Sequence, residues 1–237
     1  MSVPASMSLA PGHFLALLQL CDTALPIGGF SFSNALETYT QRGLITDAAA
    51  LQEWLATLLR HAVQGGHLLP VALAYRATAA ADWPQLVRLD QTLSAMKHAR
   101  ELRDASEKMG QGLLRLAQQV WPGPAVEGVA ALRQQGRLVG HHAVVFGLLG
   151  HALGLTERAS VEAAGYQWLS GMIGAALRLL PLGQTAGQRL LSDLLMHLPA
   201  IADDIGLQAW DDLGSAAPEF DIRAMEHETL YSRLFQS

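Results

Sequence analysis

Asp47-Ala48-Ala49-Ala50-Leu51-Gln52-Glu53-Trp54-Leu55-Ala56-Thr57-Leu58-Leu59-Arg60-His61-Ala62 is the stretch that decides the fold class. Leu51, Trp54, Leu55, Leu58, Leu59 and Ala62 recur at three- and four-residue spacing and draw one apolar stripe along a helix. Asp47 can cap its start by accepting a backbone N–H, and Gly65-Gly66 is expected to end it. The same period recurs in both directions. Upstream, a Pro/Gly turn at Leu25 to Gly29 runs into a helix with Phe32, Ala35, Leu36 and Tyr39 on one face, capped by Ser31 or Ser33 and stopped at Gly43.

Downstream, helices are expected over Leu68 to Ala80, from Asp82-Trp83-Pro84 onward, and over Lys97 to Val120, where Trp121-Pro122-Gly123-Pro124 is a firm stop. The stretch to Gly140 reads as loop with a short helix around Val129 to Gln135. Further helices follow over His141 to Leu153, from a Thr156 cap to Leu179, and over Gly183 to His197, Pro199 to Asp212 and Pro218 to Phe235. Alternating β patterns are missing while Ala and Leu abound. The expected fold is all-α: one globular bundle of about ten helices spanning 1–237, with a hydrophobic central helix layer and residues 1–12 flexible. Gly147, Gly150, Gly154, Gly171 and Gly174 cost helix propensity and read as sites of close helix approach.

Hydrophobic residues make up 50% of the 237 and charged residues 16%, which excludes disorder and implies more buried surface than a lone monomer needs. Self-association or an apolar partner surface follows as an expectation. The formal net charge of -5 disfavours nucleic acid. Cys21 is the single cysteine, so there is no intramolecular disulfide and no cysteine-rich zinc site. No Lys or Arg precedes Arg42, and the apolar run Ala143 to Leu155 is too short to span a bilayer. These features predict a soluble cytoplasmic protein that does not engage membranes.

Catalytic signatures are absent from the sequence. His141, His142 and His151 lack a carboxylate or cysteine at ligand spacing, and His227-Glu228 does not open a His-Glu-x-x-His motif. Neither Gly28-Gly29 nor Gly183 to Gln188 has the Gly-Lys-Ser/Thr end of a phosphate loop. Cys21 sits in an apolar stretch and reads as an inert thiol. The expectation is a chain with no catalytic residue, no metal set and no cofactor.

Candidates for binding lie elsewhere. The segment Asp221 to Ser237 carries Tyr231, Leu234 and Phe235 almost to its last residue, interleaved with Arg223, Glu226, Glu228 and Arg233. Such residue types anchor protein contacts, and a last helix folded back on its own core is the other reading. Tyr39 lies on an apolar face with a hydroxyl that needs a partner if buried; a core tyrosine and a binding residue both fit. Gln184 and Gln188 share one face at i, i+4, available to a neighbouring helix or a partner.

The block Leu25 to Tyr39, the pair Leu182-Gly183-Gln184 and Gly187-Gln188, and His227-Glu228 followed by Tyr231-Ser232-Arg233-Leu234-Phe235 occur in an order that resembles the UreF family of urease accessory proteins. The resemblance runs from about Leu15 to Ser237, and Trp121 to Val139 shows no signature of it. It implies an all-α homodimer without catalysis of its own, acting in assembly of the nickel centre of urease. Such a scaffold bridges a UreD-type (UreH-type) accessory protein and the GTPase UreG on apo-urease and modulates GTP-dependent nickel delivery. It further implies that Tyr39 and Arg233 touch partners, with 221–237 as the partner-binding segment. Phe32 stands where relatives often carry Tyr or His. Two other readings remain: an α-helical scaffold or regulator unrelated to urease, and a metal-dependent hydrolase in which the histidines converge with Asp203 and Asp204.

Overall fold

The computed structural model describes residues 11–237, and within them every regular element is helical. The expectation for residues 1–10 lies outside the described residues. The chain runs through α1 (Pro11–Leu20), α2 (Leu36–Gln41), α3 (Ala48–Leu58), α4 (Leu69–Ala79), α5 (Trp83–Met96) and α6 (Arg100–Val120). It continues through α7 (Pro124–Gln134), α8 (His142–Ala152), α9 (Glu157–Leu179), α10 (Gln184–Leu195), α11 (Leu198–Leu207) and α12 (Pro218–His227).

Local capping chemistry sets many of these boundaries. The side chains of Asp47, Asp82 and Thr156 accept the amides of Ala50, Gln85 and Ala159, each satisfying one of the orphan donors at a helix start. Packing then selects the layers. In α8 every residue from His142 to Gly150 is buried, so this helix has no polar face and must lie at the centre. It crosses α4, whose buried run Leu69 to Ala74 matches it, and α9 completes the central layer. Gly147 permits that crossing: an added Cβ would collide with the Val71 carbonyl oxygen of α4. Gly150 does the same against Ser160 of α9.

A buried carboxylate positions the start of α8. Asp90 of α5 accepts the amides of Val139 at 2.6 Å, Gly140 at 3.1 Å and His141 at 2.8 Å, three donors that would otherwise be buried without partners. The His141 ring is held between Ser94 and Ser106. Burial is the main cause that lowers the His141 pKa to about 4. Asp90 opposes it, and Lys97 and Arg103 add to it.

Several sequence expectations are corrected. Gly65-Gly66 does not end the helix: α3 continues as a π-helix over Leu59–Leu68 and runs directly into α4. The reason lies far away in the chain, where the 212–216 loop lies on Gly65 so closely that any Cβ would strike the Gly214 carbonyl. That loop also supplies amides to the helix, Gly214 to the Gly65 carbonyl at 3.3 Å and Ala216 to the His61 carbonyl at 2.7 Å. The Trp121 to Gly140 stretch is mostly helix, with Pro124 in the first turn of α7. Gly171 and Gly174 are not packing devices, since an added Cβ at either meets nothing within 4 Å. The last helix ends at His227 and not at Phe235, and the residues after it help to build the site below.

Candidate functional site

The site is built where α2, the start of α6 and the end of α12 meet the segment after α12. It begins with backbone strain. Asn34 and Ala35 both take left-handed conformations, at φ 47 and 67, and turn the chain sharply into α2. Ser33 compensates by accepting the Glu37 amide through its hydroxyl at 3.3 Å, a capping role from two residues before the N-cap position, Ala35. The turn thereby buries Glu37, a carboxylate flanked by the buried Leu36, Thr38 and Tyr39.

A buried carboxylate is costly unless fully hydrogen-bonded. Glu37 takes the Leu234 amide at 2.6 Å, the Phe235 amide at 3.0 Å and Nε2 of His227 at 3.0 Å. Burial alone would raise its pKa. The Leu234 amide, the His227 ring and the Phe235 amide outweigh burial and hold it below the ordinary carboxylate value. After α12 the chain makes tight turns, the Thr229 amide on the Glu226 carbonyl and the Leu230 amide on the His227 carbonyl, and further on Glu37 takes the two amides that a helix running to Phe235 would have bonded internally.

The second carboxylate is Glu101, in the first turn of α6, also buried. One oxygen meets Nδ1 of His227 at 2.6 Å, and the other meets Arg233 at 2.7 Å. His227 is fully buried with a carboxylate on each ring nitrogen. A ring N–H on either side can donate to the carboxylate it faces.

Beyond this quartet the segment is pinned to its end. The Gln236 amide reaches the Ser31 carbonyl at 2.9 Å, and the amide and hydroxyl of Ser33 both reach the Ser237 main-chain oxygen at 2.6 Å. Gln41 holds the Ser232 carbonyl at 2.9 Å. Arg178 of α9 stacks over the rings of Phe30 and Phe235 at 3.8 and 4.3 Å. The result is an extended strap whose backbone is fixed while two large side chains stand free: Tyr231 is fully exposed and Leu234 is 63% exposed. Phe30 adds a third, at 76%. Exposed aromatic and aliphatic groups on a rigid backbone present a surface at low ordering cost to a binding partner.

The sequence-predicted residues divide accordingly. Tyr231, Arg233, Leu234 and Phe235 fall together on the strap, the first three exposed and Phe235 buried. Tyr39 is buried on α2 with its ring centroid 4.9 Å from that of Trp54. Gln184 and Gln188 are exposed on α10. Glu37, Glu101 and His227 were not singled out from sequence. The available signal was a lone carboxylate inside the apolar block Leu36 to Tyr39. Among the described residues no three His, Cys, Asp or Glu converge as a metal site, and no helix is long and apolar enough to cross a membrane.

Comparison with known proteins agrees with this architecture. The family model for UreF matches residues 45–195. The urease accessory protein UreF of Arthrobacter sp. (strain FB24) is 36% identical over 231 residues, covering 98% of this chain and 100% of the relative. UreF of Methylorubrum populi is 34% identical, covering 94% and 98%, and UreF of Bacillus sp. (strain TB-90) is 33% identical, covering 95% and 99%. The chain belongs to the UreF family of urease accessory proteins.

Proposed function

We propose that the chain serves as a non-catalytic scaffold in the assembly of the urease nickel centre, using the strap Tyr231 to Phe235 to dock a UreD-type or UreH-type accessory protein. The supporting observation is the contrast on that strap: a backbone tied to Glu37, and Tyr231 and Leu234 side chains that nothing among the described residues covers. Arg233 stands at its rim, half committed to Glu101 and 41% exposed, so it can contribute a charged contact. Tyr39, buried against Trp54 and facing α12, acts in this reading by setting α2 and hence Glu37. Gln184 and Gln188 offer polar contacts on α10.

In the same reading the scaffold is a homodimer that works in the cytoplasm, receives the GTPase UreG, engages apo-urease and modulates GTP-dependent nickel delivery. Exposed Phe14, Leu15 and Leu18 on α1 supply apolar area in keeping with association. The test is co-expression with a UreD-type protein and a UreG-type GTPase, followed by gel filtration with light scattering. A stable assembly containing two copies of this chain is expected. A folded monomer that ignores both proteins would overturn the proposal.

A further inference from the structure

Near the strap, α9 opens instead of packing. Gly171 and Gly174 leave room on its face, and with the π-helix, α5 and α6 they border a cavity of about 490 Å³. Small-molecule sites occupy about 300–1,000 Å³ and are mostly apolar with a few polar groups. This cavity has that composition. Ile27, Leu93, Met109 and Trp168 belong to its apolar wall, while Lys97, His67 and His142 supply nitrogen.

The nitrogen groups are short of partners. The His67 and His142 rings stack in parallel, centroids 5.6 Å apart and planes 2° apart. His142 is 3% exposed, and its Nε2 is buried without a hydrogen bond. Burial, with the Lys97 charge nearby, lowers the pKa of both rings, so both stand neutral. Lys97 follows α5, and among the described residues its ammonium forms no ion pair. Burial lowers its pKa and Asp221, also on the wall, opposes this only through space. A half-buried cation against an apolar wall without a bonded counter-charge is unfavourable. An anion that brings its own apolar body would relieve that cost and fill the chamber.

We propose that this cavity binds an amphipathic monocarboxylate, its carboxylate on Lys97 beside the imidazoles of His67 and His142 and its apolar body in the space left open at Gly171 and Gly174. The cavity reaches Phe30 and Arg178 at the edge of the strap surface, while Tyr231 and Leu234 lie outside its wall. Its polar end discriminates by charge, since an uncharged head leaves Lys97 unpaired. The π-helix carries His67, whose ring faces that of His142.

Octanoate is the probe, titrated calorimetrically into the full chain, with 1-octanol as the uncharged control. Saturable binding of one octanoate per chain is expected, with octanol weaker by at least about tenfold. Lys97→Met should weaken octanoate by at least about tenfold and leave octanol unchanged. Gly174→Leu, which projects into open space, should abolish both while the melting temperature holds. Octanoate should raise the melting temperature of the original chain and not of Gly174→Leu. No saturable octanoate binding, equal affinity for octanol, or full octanoate affinity in Lys97→Met would each overturn the proposal.

Discussion

Glu37 and His227 lie 190 residues apart in the chain, yet Nε2 of the buried imidazole sits 3.0 Å from Oε2 of the buried carboxylate. The contact joins α2 to the end of α12, and Glu101 completes it from the other side of the ring. The histidine therefore separates two carboxylates that would otherwise face each other in a water-poor site. Removing it by His227→Ala should cost about 3–5 kcal/mol, the scale for leaving buried charges unpaired. Arg233→Ala should cost only about 1 kcal/mol, because water replaces much of what a 41% exposed guanidinium supplied. Chemical denaturation of both variants checks the ranking, and equal losses would contradict it.

Deleting Leu230 to Ser237 removes the Leu234 and Phe235 amides from Glu37 and Arg233 from Glu101. The truncated chain should stay folded on its central helix layer but lose several kcal/mol. Glu37→Gln, destabilising in the full chain, should be less harmful or restorative in the truncated one. A double-mutant cycle reads this directly; additive effects would mean the strap and Glu37 are not coupled.

Acid should weaken the fold in two stages. His141 and His142 each have a folded pKa of about 4, chiefly through burial, against an ordinary value of 6.5. The unfolded chain binds those protons first, so stability is full above about pH 6.5 and declines as the pH falls toward 4. Glu37, whose folded pKa is depressed below 4.5, adds a further loss as the pH falls below that value and through its folded pKa. Melting temperature against pH should show a shallower decline between pH 6.5 and 4 for His142→Asn than for the original chain.

Two glycine substitutions should part ways. Gly147→Ala drives a Cβ into the Val71 carbonyl oxygen and should destabilise by several kcal/mol. Gly171→Ala meets nothing and should stabilise by up to about 1 kcal/mol through helix propensity. Thermal melts of the pair give the comparison, and a similar change in both would contradict the central α4–α8 crossing.

What the sequence disclosed and what it hid follow from range. The caps at Asp47, Asp82 and Thr156 act over three residues, so their types and positions alone reveal them. The all-apolar run of α8 announces a central helix for the same reason. Gly65-Gly66 misleads because the backbone that rests on Gly65 comes from Gly214, well over a hundred residues later. The end of α12 misleads likewise: Leu230 and Leu234 keep helical spacing, yet the segment is extended and its Leu234 and Phe235 amides are held by Glu37, a residue far away in the chain. In the site, the aromatic and apolar residues of the strap stood out as a terminus too greasy for solvent. Of the charges that hold it, Arg233 stood out, but Glu37, Glu101 and His227 did not, since each is unremarkable beside its own neighbours.

The most direct test of the docking role uses the two exposed side chains that the fold does not need. The double variant Tyr231→Ser with Leu234→Ser should keep the melting temperature of the original chain, because neither side chain is buried. Co-expressed with a UreD-type partner and run by gel filtration with light scattering, it should fail to form the complex that the original chain forms. Undiminished complex formation by the folded double variant would contradict the strap as the docking surface.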